Sequence, residues 1–485
     1  MLEIDYHAIA PELITTGVLL AVLVVDLFLP LRLKFINPIL SLVGIGAAAI
    51  ALGTLIGEDR STFGGAFVVD RYAVLFKFLF LGATALTILV SANHMRETEE
   101  GSQGEFHFLV LASLLGMLVL PSARELITLF IALETISIPG FILSGFRKRQ
   151  TEGGEAAIKF FLIGVLSTAI MLFGMSMLYG MTGSTLLPLI AERLPLVPGF
   201  AQPLVFACIL LVVAGFAFKV SAVPFHFWAP DTYEGAPVPV AAFLSVASKA
   251  AGFAGLLQIC FLAFPAYGHV WAPGFAVLSV ATMTLGNITA LSQTNVVRLL
   301  AYSSIAQAGY ILLPFAVIAG QPAAVQQDAF AAALTYLLIY SVMNLGAFAV
   351  VIPVGKTIGH DVSDFDGLAR RKPALAMSMM FFLLSLAGMI PTAGFWAKFF
   401  VFRVSLEADV AWIAAVMVIN TVIGLYYYLS LAGRMFLREP ADERRVSVAV
   451  PLGAAIAVMA IVIAILTVYP DLFNTFSPRS TLVAG

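Results

Sequence analysis

Residues 215–249 read GFAFKVSAVPFHFWAPDTYEGAPVPVAAFLSVASK, a segment that places Lys219 and Lys249 in apolar surroundings with four prolines between them. A charged side chain at the centre of a bilayer costs about 2.5 kcal/mol or more, so an ionisable residue inside a membrane span is a candidate functional residue. Proline interrupts the hydrogen-bond ladder of a helix, and backbone groups freed at membrane depth must face protein or water. The segment therefore predicts a membrane helix broken near Pro224, a polar cavity at the break, and a second helix beside it that carries Lys249.

The composition is that of a membrane protein. Of the 485 residues, 61% are hydrophobic and 11% are charged, whereas about 25% are charged in a soluble globular domain. Acidic and basic residues nearly balance, so nucleic acid is not an expected partner. The two cysteines, Cys208 and Cys260, lie in apolar runs and predict neither a disulfide framework nor a metal site. Residues 1–13 carry no basic region, so we expect the first span to remain in the mature protein.

Fourteen apolar stretches are long enough to cross a bilayer, which takes about 20 residues in a helix. The predicted spans are residues 11–30, 37–56, 72–92, 106–120, 124–146, 157–181, 203–222, 238–264, 272–291, 298–319, 328–352, 374–402, 409–433 and 447–469. The sequence thus predicts an all-α polytopic membrane protein with short connections. Basic residues favour the cytoplasmic side of short loops. A topology with both termini outside puts most of them there, including Arg32, Lys34, Arg147, Lys148, Arg149, Arg370, Arg371, Lys372, Arg444 and Arg445.

A faint internal repeat links the seventh and twelfth spans. The seventh continues into VPFHFWAPD, which contains Pro224, and the twelfth contains IPTAGFWAKF, which contains Pro391. Both place a proline, the letters FWA and a lysine close together in an apolar helix. In the predicted topology the two spans run in opposite directions, which is the pattern of an inverted repeat with ion sites near the bilayer midplane.

Glu134 lies in the middle of the fifth span, far from either end. A lone carboxylate there would be neutral, whereas a lysine partner would keep it charged. Lys219 is the natural candidate for that partner. The alternatives are a structural polar contact between helices for Glu134 and a side chain extended to the cytoplasmic surface for Lys219.

Lys249 is about eleven residues into the eighth span, too deep to extend easily to a surface. Removal from water disfavours the charged form of an amine, so we predict that Lys249 exchanges a proton at physiological pH. Lys398 follows the break at Pro391 and is the candidate for the last residue of a proton relay. Such a relay requires that the charge on each lysine depends on its neighbours. A purely structural role is the alternative for each.

Other polar residues divide into break residues and residues near span ends. His226 and Asp231 lie at the seventh break, and we predict gating or proton transfer there, with a hydrogen-bonded structural role as the alternative for His226. Lys77 is near the outer end of the third span, so we expect its side chain to extend to the membrane surface. Asp26 is near Arg32 and Lys34 and is expected to be an interfacial residue.

The sequence contains no phosphate-binding glycine loop, cysteine cluster, spaced histidine pair or dinucleotide-binding pattern. We therefore expect no cofactor, metal site or redox centre in this chain. Transport through it must use a gradient or be driven by partner subunits.

The stretch 215–249, followed by ALSQTNVVRLLAYSSIAQAGY at residues 290–310, resembles the antiporter-like membrane subunits of respiratory complex I. The motifs ALSQTN and YSSI within it are most similar to the subunit N family of the bacterial proton-translocating NADH:quinone oxidoreductase, and the resemblance covers essentially the whole chain. It implies fourteen helices in two inverted five-helix repeats with broken helices at the seventh and twelfth spans. The expected segments are three N-terminal helices in 1–103, the first repeat in 104–264, the second in 272–433 and a C-terminal helix at 447–469.

The resemblance also implies roles for individual residues. Glu134 and Lys219 match the coupled pair of the family, Lys249 its central lysine, and Lys398 its outward lysine; His226 matches a histidine of the same motif. Quinone reduction elsewhere in the complex would drive protons along this relay. NADH, FMN, iron–sulfur clusters and quinone would bind partner subunits, and the partners of this chain would be other membrane subunits and the lipid of the bacterial inner membrane, with both termini periplasmic.

Two other functions fit parts of the pattern. Subunits of multisubunit cation/proton antiporters share the fold and the lysines, and are the main alternative. A separate transporter for an organic solute is disfavoured because the region 215–249 shows no solute-binding pattern. Where the complex I family often has Lys-Arg, this chain has Val297 and Arg298, and it ends too soon after the last span to carry the long lateral helix of the largest antiporter-like subunit.

Overall fold

A computed structural model describes residues 4–98, 103–147, 150–440 and 444–470. In that part of the chain, thirteen helices are long and apolar enough to cross a membrane. The twelfth predicted span is divided into two helices, each shorter than a bilayer crossing, and completes the predicted set of fourteen. The predicted fold class, an all-α polytopic membrane protein, is confirmed.

The spans are numbered α1 to α14 in chain order, with the two broken ones given in halves. They are Ala10–Phe28, Ile36–Gly53, Arg71–Thr98, Gln103–Val119, Leu126–Ser144, Thr151–Thr182, Gln202–Lys219 with Trp228–Gly235 (α7), Val238–Ala263 (α8), Gly268–Ala290, Val296–Val317 (α10), Ala323–Thr357, Pro373–Ala387 with Ala393–Glu407 (α12), Ala411–Leu437 and Val450–Val468. A hairpin of β1 (Arg60–Thr62) and β2 (Phe67–Val69), which the sequence analysis did not predict, precedes α3. A short helix, Leu187–Arg193, follows α6.

Three helices form the centre of the bundle. Every residue in the most apolar stretch of α8 is buried, and α10 and α11 are almost as fully covered, whereas only 28% of the residues in the corresponding stretches of α1 and α6 are buried. Without water, a helix surrounded by protein must satisfy its own polar side chains inside the bundle. The polar residues of α8 and α10 therefore have to find partners inside the bundle, on each other or on neighbouring helices, and this places the functional site at the centre.

The break in α7 follows from the local sequence. Pro224 has no N–H to donate, and Ser221, three residues earlier, adopts a left-handed backbone with φ 59° that ends the helix at Lys219. A helix end leaves carbonyls without intrahelical partners. The carbonyl of Phe218 accepts from the N–H of Ser221 at 3.0 Å and from the indole N–H of Trp228 at 3.2 Å, so the second half of α7 bonds back to the end of the first half.

The break in α12 has the same layout. Gly388, with φ 80°, stands three residues before Pro391 and ends the first half at Ala387. Glycine fits this position because the left-handed region is free of strain only without a Cβ. The break leaves the carbonyl of Ala387 without a partner inside its helix, and this carbonyl accepts from the ammonium of Lys398 at 3.0 Å. Both predicted breaks, at Pro224 and Pro391, are confirmed.

Paired loops relate the two halves of the chain. The segment before α5 pairs with the segment after α6, where Leu126 N–H donates to Thr185 at 2.9 Å and Leu187 N–H to Arg124 at 2.9 Å. The segment before α10 pairs in the same way with the segment after α11, where Val296 N–H donates to His360 at 2.8 Å and Val362 N–H to Thr294 at 2.7 Å. Helices α5 and α10 start five spans apart, on opposite sides of the membrane.

The same correspondence holds inside the bundle. Ser137 is as many residues after Leu126 as Gln307 is after Val296. Lys219 is as many residues before Pro224 as Leu386 is before Pro391. Lys219 contacts Ser137, and Gln307 contacts the carbonyl of Leu386. Matched contacts of this kind support two inverted repeats, although the predicted segment boundaries stay a prediction.

Candidate functional site

Lys219 is buried at the end of the first half of α7. Its ammonium donates to the hydroxyl of Ser137 at 2.9 Å. Glu134 lies one helical turn before Ser137 on α5, and its carboxylate accepts from Thr168 at 3.0 Å. Among the described residues, Glu134 and Lys219 form no direct ion pair. Lys219 instead contacts α5 one helical turn away from Glu134, at Ser137.

Lys249 is 1% exposed and lies at the centre of α8. Its ammonium donates to the carbonyl oxygen of Ser304 on α10 at 2.9 Å and to the hydroxyl of the same residue. The five residues before Lys249, Leu244–Ser248, form a π-helical turn, a feature often found at functional sites. Around this turn the hydroxyl of Ser245 accepts from Asn344 at 2.8 Å, and its carbonyl from Tyr340 at 3.0 Å.

Lys219 and Lys249 belong to facing helices. The side chain of Lys219 lies against Gly252, one turn after Lys249 on α8, so closely that a Cβ at position 252 would approach Lys219 Cγ to 2.9 Å. Because position 252 has no side chain, the aliphatic part of Lys219 can pack directly against α8, the helix that carries Lys249. A larger residue there would separate α7 from α8 at the point where the two lysines approach.

Lys398 is buried in the second half of α12. Besides its bond to the carbonyl of Ala387, its ammonium lies over the ring of Tyr310, 4.7 Å from the centroid, where the negative face of an aromatic ring attracts a cation. Gly388 packs on the same side chain, since a Cβ there would lie 2.7 Å from Lys398 Cδ. The break and the lysine therefore form one packed unit.

A series of uncharged polar residues connects the surroundings of Lys249 with those of Lys398. Ser303, next to Ser304, bonds to the hydroxyl of Tyr428 on α13. Gln307, one turn further along α10, donates to Tyr428 at 3.2 Å and to the carbonyl of Leu386 at 3.0 Å, and accepts from Tyr336. Leu386 directly precedes the carbonyl that Lys398 binds. Neither Gln307 nor Tyr428 was predicted from the sequence, although Gln307 lies in the motif YSSIAQAGY.

The residues of the seventh break differ in their surroundings. His226 is buried, and its Nδ1 makes no hydrogen bond to the described residues. Asp231 accepts from Lys159 at 2.8 Å and from Arg298 at 2.9 Å, and Arg298 also binds Glu234 at 2.7 Å. This cluster joins α6, the second half of α7 and α10. The proposed gating roles of His226 and Asp231 stay predictions.

The expectation for Lys77 was wrong. Its side chain is fully buried and pairs with Glu12 on α1 at 2.7 Å. The hairpin and α1 cover the end of α3, so the ammonium faces protein and lies over the ring of Phe67. Asp26, by contrast, bonds to Lys34 at 2.9 Å near the end of α1, in agreement with the predicted position beside the loop.

Within the described ranges, no group of three or more His, Cys, Asp and Glu side chains is close enough to hold a metal ion. The site is instead a line of buried amines, hydroxyls and amides together with the half-buried carboxylate of Glu134. Such groups donate and accept protons without any prosthetic group. In chemical terms the arrangement is suited to moving protons or small cations from helix to helix inside the bundle.

Comparison with known proteins defines the class of this membrane protein. Residues 123–424 match the family model described as NADH:quinone oxidoreductase/Mrp antiporter, TM. The chain belongs to this family. Within it, NADH-quinone oxidoreductase subunit N 2 of Streptomyces griseus is 42% identical over 468 residues, which cover 93% of this chain and 87% of that protein. The chain is therefore a member of the subunit N branch.

Solved structures agree with this assignment. A chain of respiratory complex I from Thermus thermophilus is 31% identical, with a TM-score of 0.80 and coverage of 95% of this chain and 98% of that one. A chain of the Mrp complex from Dietzia sp. superposes with a TM-score of 0.86 at 20% identity, covering 99% of this chain and 97% of that one. The second similarity establishes a shared fold.

Proposed function

We propose that this chain is a proton-translocating membrane subunit of NADH:quinone oxidoreductase and has no redox centre of its own. The observation that carries the proposal is the line of three buried lysines, each on a different helix and each bonded to polar groups inside the bundle. Holding an amine there costs free energy, so three of them in one bundle point to a function. The identity of 42% to a subunit N relative, against 20% to a chain of the Mrp complex, favours this function over cation/proton antiport.

In the proposed relay, Glu134 and Lys219 are the coupling pair, Lys249 is the central proton carrier and Lys398 passes the proton outward. Ser137 lies in contact with Lys219 and one turn from Glu134, so a change of charge on the carboxylate would alter the field at the lysine. The hydroxyl and amide groups from Ser304 to Gln307 supply donors and acceptors between the central and outer lysines. Water would complete the steps for which no protein group is within hydrogen-bond reach.

We further propose that the cofactors NADH, FMN, iron–sulfur clusters and quinone bind partner subunits, and that other membrane subunits of the complex adjoin this chain. The basic residues on one set of loops support a bacterial inner-membrane topology with both termini periplasmic. The matched loops and breaks support inverted repeats within 104–264 and 272–433, preceded by the three N-terminal helices in 1–103 and followed by the helix at 447–469.

The test is to isolate the chain in mild detergent, identify what copurifies, and reconstitute the assembly in sealed vesicles. We expect redox subunits in the assembly and acidification of the vesicle interior during quinone-dependent NADH oxidation. Copurification with antiporter subunits alone, together with Na⁺-dependent growth defects on deletion, would instead support the antiporter function.

A further inference from the structure

The ammonium of Lys398 has no acidic partner in the described part of the chain. The contacts that its nitrogen makes there are with the carbonyl of Ala387, at 3.0 Å, and with the face of the Tyr310 ring, 4.7 Å from the centroid. A ring face attracts an ammonium ion but not a neutral amine. Tyr310 therefore favours the protonated form of Lys398, and a change in the position or electron density of the ring changes how firmly the proton is held.

Among the described residues around Lys398, no other group carries a charge that could replace the effect of the ring. The first half of α12 and the whole of α14 contain no titratable side chain. On α11 and at the end of α12, Asp328 and Glu407 both pair with Arg403. The titratable groups of α10, α11 and α13 around the ring are phenols, which are uncharged at neutral pH, and they belong to Tyr310, Tyr336, Tyr427 and Tyr428. The ring face and one carbonyl thus distinguish the charged amine from the neutral one.

The ring of Tyr310 is held by its hydroxyl. Asn287, a fully enclosed residue of α9, donates from its side-chain amide to the Tyr310 oxygen at 3.0 Å. The same amide donates to the carbonyl of Met283 at 2.8 Å, and its oxygen accepts from the hydroxyl of Tyr427 at 3.0 Å. A buried amide with partners on both its nitrogen and its oxygen cannot turn without losing hydrogen bonds. Asn287 therefore fixes the hydroxyl end of the ring.

Close packing of three helices fixes Asn287 and Tyr310 relative to each other. Ser279 of α9 donates to the carbonyl of Gly309, the residue before Tyr310, at 2.7 Å. A Cβ at position 309 would overlap the backbone of α9, so these two helices are in direct backbone contact. On the other side, Gly424 of α13 leaves room for the amide, since a Cβ there would lie 3.1 Å from the oxygen of Asn287. The amide and the ring are therefore carried by helices that cannot separate without breaking these contacts.

We propose that Tyr310, oriented by Asn287, sets how readily Lys398 releases its proton. The inference rests on the proposed function, in which Lys398 passes the proton outward. Tyr310 touches the amine, whereas Asn287 acts through Tyr310 and is a positioning residue. At high pH the amine fails to take up a proton from the relay, and a weaker ring face brings this failure to a lower pH. The contact between ring and amine thereby determines the alkaline limit of pumping.

The experiment measures proton pumping by the assembled complex in sealed vesicles as a function of pH, normalised to NADH oxidation. Tyr310 is replaced by phenylalanine and by phenylalanines with increasing numbers of ring fluorines, which draw electron density from the ring face and weaken its attraction for a cation. We expect the alkaline limb of the profile to move stepwise to lower pH, by up to about one pH unit, equivalent to about 1.4 kcal/mol. The same series at Phe399, which is on the same helix as Lys398 and 38% exposed, should leave the limb in place.

A double-mutant cycle tests the positioning role of Asn287. Asn287→Leu should move the alkaline limb to lower pH, because the ring is no longer anchored. In the Tyr310→Phe background the hydrogen bond is already absent, so Asn287→Leu should add no further shift. Asn420→Leu is the matched control, since it removes a buried amide of the same cluster that donates to Thr284 at 3.1 Å and not to Tyr310. It should lower thermal stability without moving the limb.

The outcomes separate this inference from the proposed function. Lys398→Met should stop pumping, and normal pumping by the assembled Lys398→Met complex would remove Lys398 from the relay and with it the basis of the inference. If Lys398→Met stops pumping while the fluorinated series leaves the alkaline limb in place, the relay stands and the role of Tyr310 is overturned. Equal shifts caused by Asn287→Leu with and without the Tyr310 hydroxyl would overturn the positioning role of Asn287.

Discussion

Ser304 holds in α10 the position that Glu134 holds in α5. Each is the same number of residues beyond the paired loop at the start of its helix, at Val296 and Leu126 respectively. The first repeat thus has a carboxylate where the second has a hydroxyl, and Lys249 bonds to that hydroxyl and to the carbonyl of the same residue. The central lysine is held by uncharged oxygens, which leaves its charge free to respond to groups further along the line.

Replacement of Lys249 by alanine should reduce proton pumping at least about tenfold, because the central proton carrier is lost, while assembly stays largely intact. Lys249→Met, which keeps the volume, should give the same loss. Pumping is measured as dye quenching in sealed vesicles, normalised to NADH oxidation. Lys372→Ala, in the loop before α12, is the control, and an assembled Lys249→Ala complex that pumps normally would remove Lys249 from the mechanism.

Tyr428→Phe should slow pumping and lower the stability by about 1–3 kcal/mol, because two hydrogen bonds are lost and their buried partners remain. The hydroxyl of Tyr428 bonds to Ser303 and Gln307, so its removal interrupts the polar connection between Lys249 and Lys398. Tyr426→Phe is the matched control, since Tyr426 is on the same helix and 69% exposed. Equal pumping by the two variants would show that the connection is not used.

Gly388→Ala should lower both thermal stability and pumping. The left-handed backbone at this position costs a side chain about 1–3 kcal/mol, and the new Cβ would press on the side chain of Lys398. Gly46→Ala, in α2, meets no atom within 4 Å and should lower neither property. The readouts are the midpoint of thermal unfolding in detergent and the pumping rate; a normal midpoint for Gly388→Ala would contradict the described break.

His360 predicts a pH dependence of stability. It lies in the loop after α11, where burial and the nearby charge of Arg147 outweigh Asp364 and Asp361 and lower the pKa of His360 below its usual value. The unfolded chain therefore takes up a proton first as the pH falls below about 6.5. The contribution of this residue to stability is complete above that pH and is lost as the pH falls through the folded pKa.

The measurement is the unfolding midpoint at pH 7.5 and pH 5.5. His360→Gln should reduce the difference between the two pH values relative to the unchanged protein. If the variant kept the full difference, other groups would account for the acid sensitivity, and the effect assigned to His360 would be absent.

The sequence predicted the spans and the two breaks because apolar length and proline act locally. The position of Lys77 could not be predicted in the same way. Proximity to a helix end suggests an exposed amine, but the hairpin and α1 fold over that end and Glu12 supplies a counterion. This is a tertiary effect that no local pattern contains.

Gln307 and Tyr428 were missed for a different reason. A search for charges inside spans does not detect neutral side chains, and their importance depends on which faces of α10 and α13 meet. The lysines could be picked out individually, yet the partners that hold them, such as Ser137 and Ser304, became evident only from the packing of helices that are distant in sequence.

The bond from Lys398 to the end of the first half of α12 has a mechanical consequence. A charged amine donates a hydrogen bond roughly twice as strong as a neutral one. Loss of the proton from Lys398 would therefore weaken the hydrogen bond that joins the two halves of α12. If Lys398 acts in the proposed relay, the shape of the broken helix would therefore change with the protonation of this amine.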